Sequence, residues 1–213
     1  LFNIVLDLGI NNYSTTTIAK SEHLLPKFFS RLLSLKVLLL GIYVLFTLLM
    51  GLVWGYSNYE IKLLLLLVLN QGIVALIMYL RSNLSGVQLF FKDSIVSVLD
   101  RFLMIFICSV LLWGGFTNKP FEIEWFIYAQ TVSYCITLLL ALFWVWKEAA
   151  FIKLKFDNIF SLAILKQSLP YALLVLLMSF YYRSDSVMLQ KMLEDGNRQA
   201  GYYAQAYRFF EAG

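Results

Sequence analysis

The sequence predicts an all-α integral membrane protein. Of its 213 residues, 61% are apolar and only 14% are charged, whereas soluble domains carry about a quarter charged residues. The mean hydropathy is +0.75. The apolar residues are gathered in blocks long enough for a helix to cross the roughly 30 Å hydrocarbon layer of a bilayer. This composition excludes a water-soluble globular enzyme, a disordered tail and a nucleic-acid-binding module.

Five charge-free blocks predict membrane-crossing helices. They cover residues 37–59, 63–80, 102–118, 125–146 and 167–182, and the last continues across two charges to Gln190. Residues 1–19 are interpreted as the end of a further helix, and the stretch from Gln199 as the beginning of another. Because the leucine-rich blocks do not alternate in polarity, the sequence favours helices over a β-barrel. We expect the chain to be the interior of a longer protein.

Basic residues between the blocks predict the topology. Segments 20–36, 81–101 and 147–166 carry eleven Lys and Arg residues, and the alternate connections carry four. By the positive-inside rule, the three basic segments face the cytoplasm. All five Trp residues lie near predicted helix ends, where amphipathic rings favour the membrane interface. Segment 81–101 is expected to continue the flanking helices, and the apolar stretch 159–165 to form a short interfacial helix.

Polar residues within the apolar blocks are the candidates for function, since such groups are costly in hydrocarbon. In the first helix, Asn3, Asp7, Asn11 and Ser14 recur at spacings that place them on one face. A face with a carboxylate turns towards a neighbouring helix or a water-filled cavity. Interhelical hydrogen bonding and cavity lining both remain open for this face.

A second polar group follows Pro170. Arg183 and Asp185 lie on opposite sides of their helix, so each needs a partner elsewhere: another helix, water, an ion or a substrate. A buried ion pair between helices is the structural alternative. The substrate-pathway candidates are Asn3, Asp7, Asn11, Gln71, Tyr182, Arg183, Asp185, Tyr203 and Arg208. Asn70, Gln130 and Ser133 are weaker signals, more typical of packing than of binding.

The sequence contains no recognisable catalytic or metal-binding motif. His23 is the only histidine, no Asp or second histidine accompanies it to make a catalytic or metal-binding set, and Cys108 and Cys135 lie in apolar runs. Nucleophilic and acid–base catalysis need such groups in sets. We therefore expect no enzyme activity, no metal site and no cofactor, with a coupling H⁺ or Na⁺ as the one ion to consider.

Three stretches resemble the polysaccharide flippase family of the multidrug/oligosaccharidyl-lipid/polysaccharide exporter superfamily. The first is LDLGINNYSTTTIAK at 6–20, similar to the second helix of the family. The second, at 79–103, is YLRSNLSGVQLFFKDSIVSVLDRFL, with a basic residue, a glycine step and a terminal Asp-Arg pair. The third, at 169–211, opens with a Pro before a helix and continues with R-x-D and G-Y-Y-x-x-A-Y-R.

The resemblance implies a partial transporter bundle of two lobes around a central cavity, from about the second to the early eighth helix. Residues 1–150 would be the N-terminal lobe, 151–166 a cytoplasmic connection and 167–213 the start of the C-terminal lobe. Family members often carry a basic residue within the second helix, where this chain has Thr15, Thr16 and Thr17. The cationic part of a cavity is therefore expected from Arg183, Arg208 or helices outside the chain.

The implied function is a flippase in a bacterial or archaeal inner membrane, moving an undecaprenyl-pyrophosphate-linked oligosaccharide by alternating access. Its partners would be this lipid-linked substrate, membrane lipids and polysaccharide assembly proteins, without nucleic acid. Arg183 and Arg208 would offset the pyrophosphate charge, and Asp7 or Asp185 would bind the coupling ion. A multidrug exporter of the same superfamily is the first alternative, although it would favour an acidic, aromatic cavity. A membrane polysaccharide polymerase or ligase is the second, although the outer connections are short.

Overall fold

A computed structural model describes residues 4–20, 25–113, 123–149, 158–192 and 195–211. These residues form helices α1 (Ile4–Asp7), α2 (Ile10–Lys20), α3 (Leu25–Val53), α4 (Asn58–Gly86), α5 (Phe90–Trp113), α6 (Ile123–Ala149), α7 (Asn158–Met192) and α8 (Gly196–Glu211), and they contain no strand. Within the described residues, four segments are long and apolar enough to cross a membrane: Phe29–Val53, Asn58–Gly86, Phe90–Trp113 and Ile123–Glu148. The predicted all-α membrane fold is confirmed.

The helices extend beyond the charge-free blocks that predicted them. The helix expected to begin at Val37 begins at Leu25, with Pro26 in its first turn, where a missing N–H does no harm. Segment 81–101 is helical except for a short turn at residues 87–89, as predicted. Residues 159–165 do not form a separate helix, because they belong to the first turns of α7. Charged residues therefore mark helix ends poorly in this chain.

The turn between α3 and α4 is encoded locally. Gly55 adopts φ +70°, a left-handed conformation that costs glycine little, and ends α3. The N–H of Tyr56 donates to the Gly51 carbonyl at 3.1 Å, which closes the helix end. Ser57 and Glu60 then cap α4 reciprocally, through the Glu60 N–H to the Ser57 hydroxyl and the Ser57 N–H to the Glu60 carboxylate.

Helix α4 is the centre of the first part of the fold, since it contacts α1, α2, α3, α5 and α6. Its approach to α2 is close: a Cβ at Gly86 would lie 2.9 Å from the Cβ of Ile18. The Thr15 hydroxyl of α2 donates to the Ser82 carbonyl of α4 at 3.1 Å. Small residues and hydroxyl groups at such contacts are typical of helix packing in membranes.

The main apolar core lies between these helices. Its fully buried side chains include Ile10, Ile18, Phe29, Leu32, Tyr79, Leu80, Leu84, Val96 and Val145. Tyr79 stacks on Phe29 with ring centroids 5.7 Å apart, and its hydroxyl donates to the Phe29 carbonyl at 2.9 Å. By contrast, α5 exposes Phe91, Phe102 and Trp113. Large apolar side chains that point away from the core are expected where the solvent is lipid.

The chain divides into two compact units, residues 1–171 and 172–213. The first contains α1 to α6 and the beginning of α7, where Ile164 joins the core and Arg31 lies 4.6 Å above the Phe160 ring. The second contains the rest of α7 and α8, where the Arg198 guanidinium donates to the Tyr202 hydroxyl at 3.3 Å. The proposed lobe limits at 150 and 167 stay a prediction.

Candidate functional site: a buried ion pair at a break in the first helix

The first helix is interrupted directly after Asp7. Leu8 and Gly9 have φ values of +44° and +73°, so two consecutive residues lie in the left-handed region and end α1. Helix α2 starts at Ile10, and the N–H of Asn11 donates to the Asp7 carboxylate at 3.2 Å. Left-handed backbone is costly for leucine, which has a branched side chain. The prediction of one continuous helix with one polar face is therefore wrong.

Lys36 of α3 reaches into this break. Its ammonium group lies 2.7 Å from Oδ1 of Asp7 and 3.0 Å from the Leu6 carbonyl oxygen. Lys36 is 2% exposed and Asp7 is 29% exposed. The two opposite charges cancel. Of the two side chains, only that of Asp7 is partly exposed at the surface of the described helices.

The pair lies deep in the bundle. Lys36 is eleven residues from the start of α3 and seventeen from its end, about 16 Å and 26 Å along the axis. Segment Phe29–Val53 is a candidate membrane span, so the ammonium is well inside the apolar part of the helix. Beside it, Leu6, Tyr43 and Val68 form a small apolar cluster. An ion pair in such surroundings depends on its partners, because lone charges are expensive there.

A second polar contact joins α4 and α6. Asn70 is 1% exposed; it accepts a hydrogen bond from the Thr131 hydroxyl at 2.8 Å and donates to the Gln130 side chain at 3.5 Å. Gln130 in turn donates to the Tyr134 hydroxyl at 3.0 Å. The interpretation of Asn70 and Gln130 as packing residues agrees with this network, which bonds helices to each other.

Two further ion pairs lie near the α4–α5 turn. Arg81 and Asp93 contact each other at 2.7 Å across that turn, where Gln88 has φ +59°. Lys92 contacts Glu148 of α6 at 2.8 Å. These charges belong to the second family-like stretch and to the end of α6. The two ion pairs therefore connect the ends of neighbouring helices. Because their side chains are partly exposed, each pair contributes little to the free energy of unfolding.

Several buried polar atoms have no hydrogen-bond partner among the described residues. They are Oδ1 of Asn11, the hydroxyl oxygens of Ser14 and Ser30, and Oδ1 of Asn83. They come from α2, α3 and α4, the helices that meet beside the break. Buried acceptors of this kind need water or a ligand to complete them. The inner side of α2 therefore carries Asn11 and Ser14 between the apolar core residues Ile10 and Ile18.

The candidate residues of the sequence are only partly described. Asn3 lies outside the described residues, and for Tyr182, Arg183, Asp185 and Arg208 only the helix backbone is described. Asp7 and Asn11 meet at the helix break, while Gln71 and Tyr203 are half-buried on α4 and α8. The roles assigned to these residues stay predictions. Among the described residues, no group of His, Cys, Asp or Glu side chains forms a metal site.

Lys36 belongs to the candidate site although the sequence predicts it to lie in a cytoplasmic segment. The charge pattern groups Lys36 with the basic residues of segment 20–36, and it leaves the cations of a cavity to Arg183, Arg208 or other helices. The structure instead buries Lys36 against Asp7. Pro26 was the signal that pointed to the earlier helix start, since Pro is favoured in the first turn. Without Lys36 the topology prediction still stands, with ten basic residues against four.

The fold and the site define a class: a multi-pass helical membrane protein in which a broken helix is closed by a buried ion pair. The chain belongs to the polysaccharide biosynthesis protein family, whose family model matches residues 1–213. This confirms the resemblance carried by the three sequence stretches. No curated protein and no solved structure matches the chain significantly.

Proposed function

We propose that the protein is a flippase that moves a lipid-linked oligosaccharide, carried on undecaprenyl pyrophosphate, across the cytoplasmic membrane by alternating access. The observation that carries the proposal is the Asp7–Lys36 pair at the break in the first helix. Polysaccharide biosynthesis supplies the substrate class, and the membrane-spanning helices supply the setting.

A break in a membrane helix costs free energy, and a protein that only anchored itself in the membrane would gain nothing from it. The break therefore supports a transport role. Left-handed backbone at Leu8 costs about 1–2 kcal/mol. Strained backbone and intramembrane charges both concentrate at functional sites. Interrupted helices with exposed backbone groups are, moreover, a recurrent feature of transporter binding regions.

The pyrophosphate and sugar would pass through a polar path between helices while the lipid tail stays in the bilayer. Arg183 and Arg208 are the cations we assign to the pyrophosphate. We assign hydrogen bonds with the sugar to Asn3, Asn11, Gln71, Tyr182 and Tyr203. The unpartnered Oδ1 of Asn11 supports this assignment, since it is a buried acceptor ready for a hydroxyl donor. Asp185 or Asp7 is assigned to the coupling H⁺ or Na⁺.

The test is depletion of the protein in its native cell, followed by analysis of the lipid-linked saccharide. A flippase predicts that the saccharide accumulates on the cytoplasmic leaflet while surface polysaccharide falls. If the saccharide is instead no longer made, or if the purified protein polymerises or transfers the lipid-linked saccharide, the chain is an enzyme. If the saccharide is unaffected and a cationic dye is retained, the chain is a multidrug exporter.

Substitution tests the assigned cations. Arg183→Ala and Arg208→Ala, singly and together in the full-length protein, should lower surface polysaccharide at unchanged protein level. Arg198→Ala is the matched control, because Arg198 is an exposed arginine on α8 that contacts Tyr202. Undiminished polysaccharide in the double variant would remove both arginines from the mechanism.

A further inference from the structure

The Lys36 ammonium group lies among oxygen ligands that suit a small cation. The Asp7 carboxylate and the Leu6 carbonyl both lie within 3.0 Å of the ammonium nitrogen. The carbonyl is available because the helix breaks two residues later, so that the intrahelical ladder does not continue through Leu8 and Gly9. A carboxylate with freed carbonyl oxygens is the ligand set that hard monovalent cations take at interrupted membrane helices.

We propose that the break in the first helix is a monovalent-cation site whose resident cation is the ammonium group of Lys36. The lysine is attached to α3, so its effective concentration at the site is set by the fold and far exceeds that of a dissolved ion. The native protein therefore needs no sodium at this position. A sodium ion enters only when the lysine is removed.

The exposure of the two partners explains why a dissolved ion replaces the ammonium. Lys36 is almost fully buried, whereas 29% of the Asp7 surface is accessible. When Lys36 is shortened or made neutral, the Asp7 charge loses its counter-ion and the Leu6 carbonyl loses its donor. A small cation then finds two freed oxygen ligands, of which the Asp7 carboxylate is the partly accessible one. A neutral residue in place of Asp7 removes the charge that attracts it.

Occupation of this site by Lys36 is measured without the transported substrate, because it changes the stability of the helix break. It also limits the proposed transport cycle: Asp7 is not available to a dissolved coupling ion while Lys36 occupies the site. A coupling ion then binds at Asp185, or at Asp7 after Lys36 has moved away.

The experiment measures thermal unfolding of the purified full-length protein in detergent, in sodium chloride against choline chloride at equal ionic strength. The variants are Lys36→Met, Asp7→Asn and the double variant. The unfolding midpoint of Lys36→Met should rise saturably with sodium, by about 5–10 °C at a concentration a hundredfold above the dissociation constant. The native protein and the double variant should respond to sodium equally and less than Lys36→Met, because any sodium bound at Asp185 stabilises all three alike.

A parallel variant, Lys36→Ala, leaves space for a dissolved amine. Ethylammonium chloride should raise its unfolding midpoint, while the same salt leaves Lys36→Ala combined with Asp7→Asn unchanged. The proposal is overturned if Lys36→Met and the double variant respond equally to sodium. It is also overturned if Lys36→Met is unfolded in sodium chloride and in choline chloride alike. Recovery of folded Lys36→Met in sodium chloride alone supports the proposal. These readouts are unfolding midpoints, so a failed flippase assay leaves them unaffected.

Discussion

The two halves of the Asp7–Lys36 pair should differ in what their loss costs. Asp7→Asn leaves an ammonium group that is 2% exposed, with only the Leu6 carbonyl and an amide oxygen beside it. Stranding one member of a buried pair costs about 3–5 kcal/mol. Lys36→Met leaves a carboxylate that keeps the Asn11 N–H and is 29% exposed. Its cost should therefore be smaller, roughly 2 kcal/mol.

The double variant removes both charges and should come within about 1 kcal/mol of the native protein, since a neutral pair leaves no stranded ion. We expect unfolding midpoints in choline chloride to rank native, double variant, Lys36→Met and Asp7→Asn, from highest to lowest. Tryptophan fluorescence during heating measures them, because five Trp residues report on the bundle.

The matched control is Lys92→Met. Lys92 also contacts a carboxylate, that of Glu148 at 2.8 Å, but the two side chains are 28% and 36% exposed. Such a pair contributes less than about 1 kcal/mol. The reasoning is refuted if Lys92→Met costs as much as Asp7→Asn, or if the double variant is as unstable as the sum of the single ones.

Three further predictions use the same unfolding assay. Gly86→Ala should lower the free energy of unfolding by about 1–3 kcal/mol, because its Cβ would lie 2.9 Å from the Cβ of Ile18. The control Gly41→Ala, whose Cβ would have nothing within 4 Å, should leave that free energy unchanged or raise it by about 0.5–1 kcal/mol. Equal effects of the two substitutions would contradict the α2–α4 contact. Asn70→Ala should cost about 1 kcal/mol through its lost interhelical hydrogen bonds, and an unchanged midpoint would exclude that role. Gln88→Gly should stabilise by about 1 kcal/mol, since glycine adopts φ +59° without strain, and a lower midpoint would argue against this turn.

The helices were predictable because hydropathy is summed over many residues. A charge or glycine at one position barely changes the mean of a long apolar window, so the order of α3, α4, α5 and α6 follows from the sequence. The tryptophans near helix ends follow from the preference of amphipathic rings for the membrane interface: Trp113 ends α5 and Trp125 lies in the first turn of α6. The capping box of Ser57 and Glu60 is likewise a local pattern.

The helix break and Lys36 were not predictable in this way. Whether a lysine is tolerated inside a bundle depends on a partner, and the partner of Lys36 lies 29 positions away in sequence. Charge patterns therefore could not distinguish Lys36 from Arg31, a neighbour nearer the helix start. The break rests on Leu8 and Gly9, and a single glycine in an apolar block is compatible with an uninterrupted helix.

The break and the two charges solve one physical problem together. An interrupted helix frees N–H and C=O groups, and each needs a partner where water is scarce. The Asp7 carboxylate takes the Asn11 N–H, the Lys36 ammonium donates to the Leu6 carbonyl, and the two side chains neutralise each other. No member of this set can leave without stranding another. As long as both charges stay in place, the pair therefore fixes the geometry of the first helix where it is interrupted.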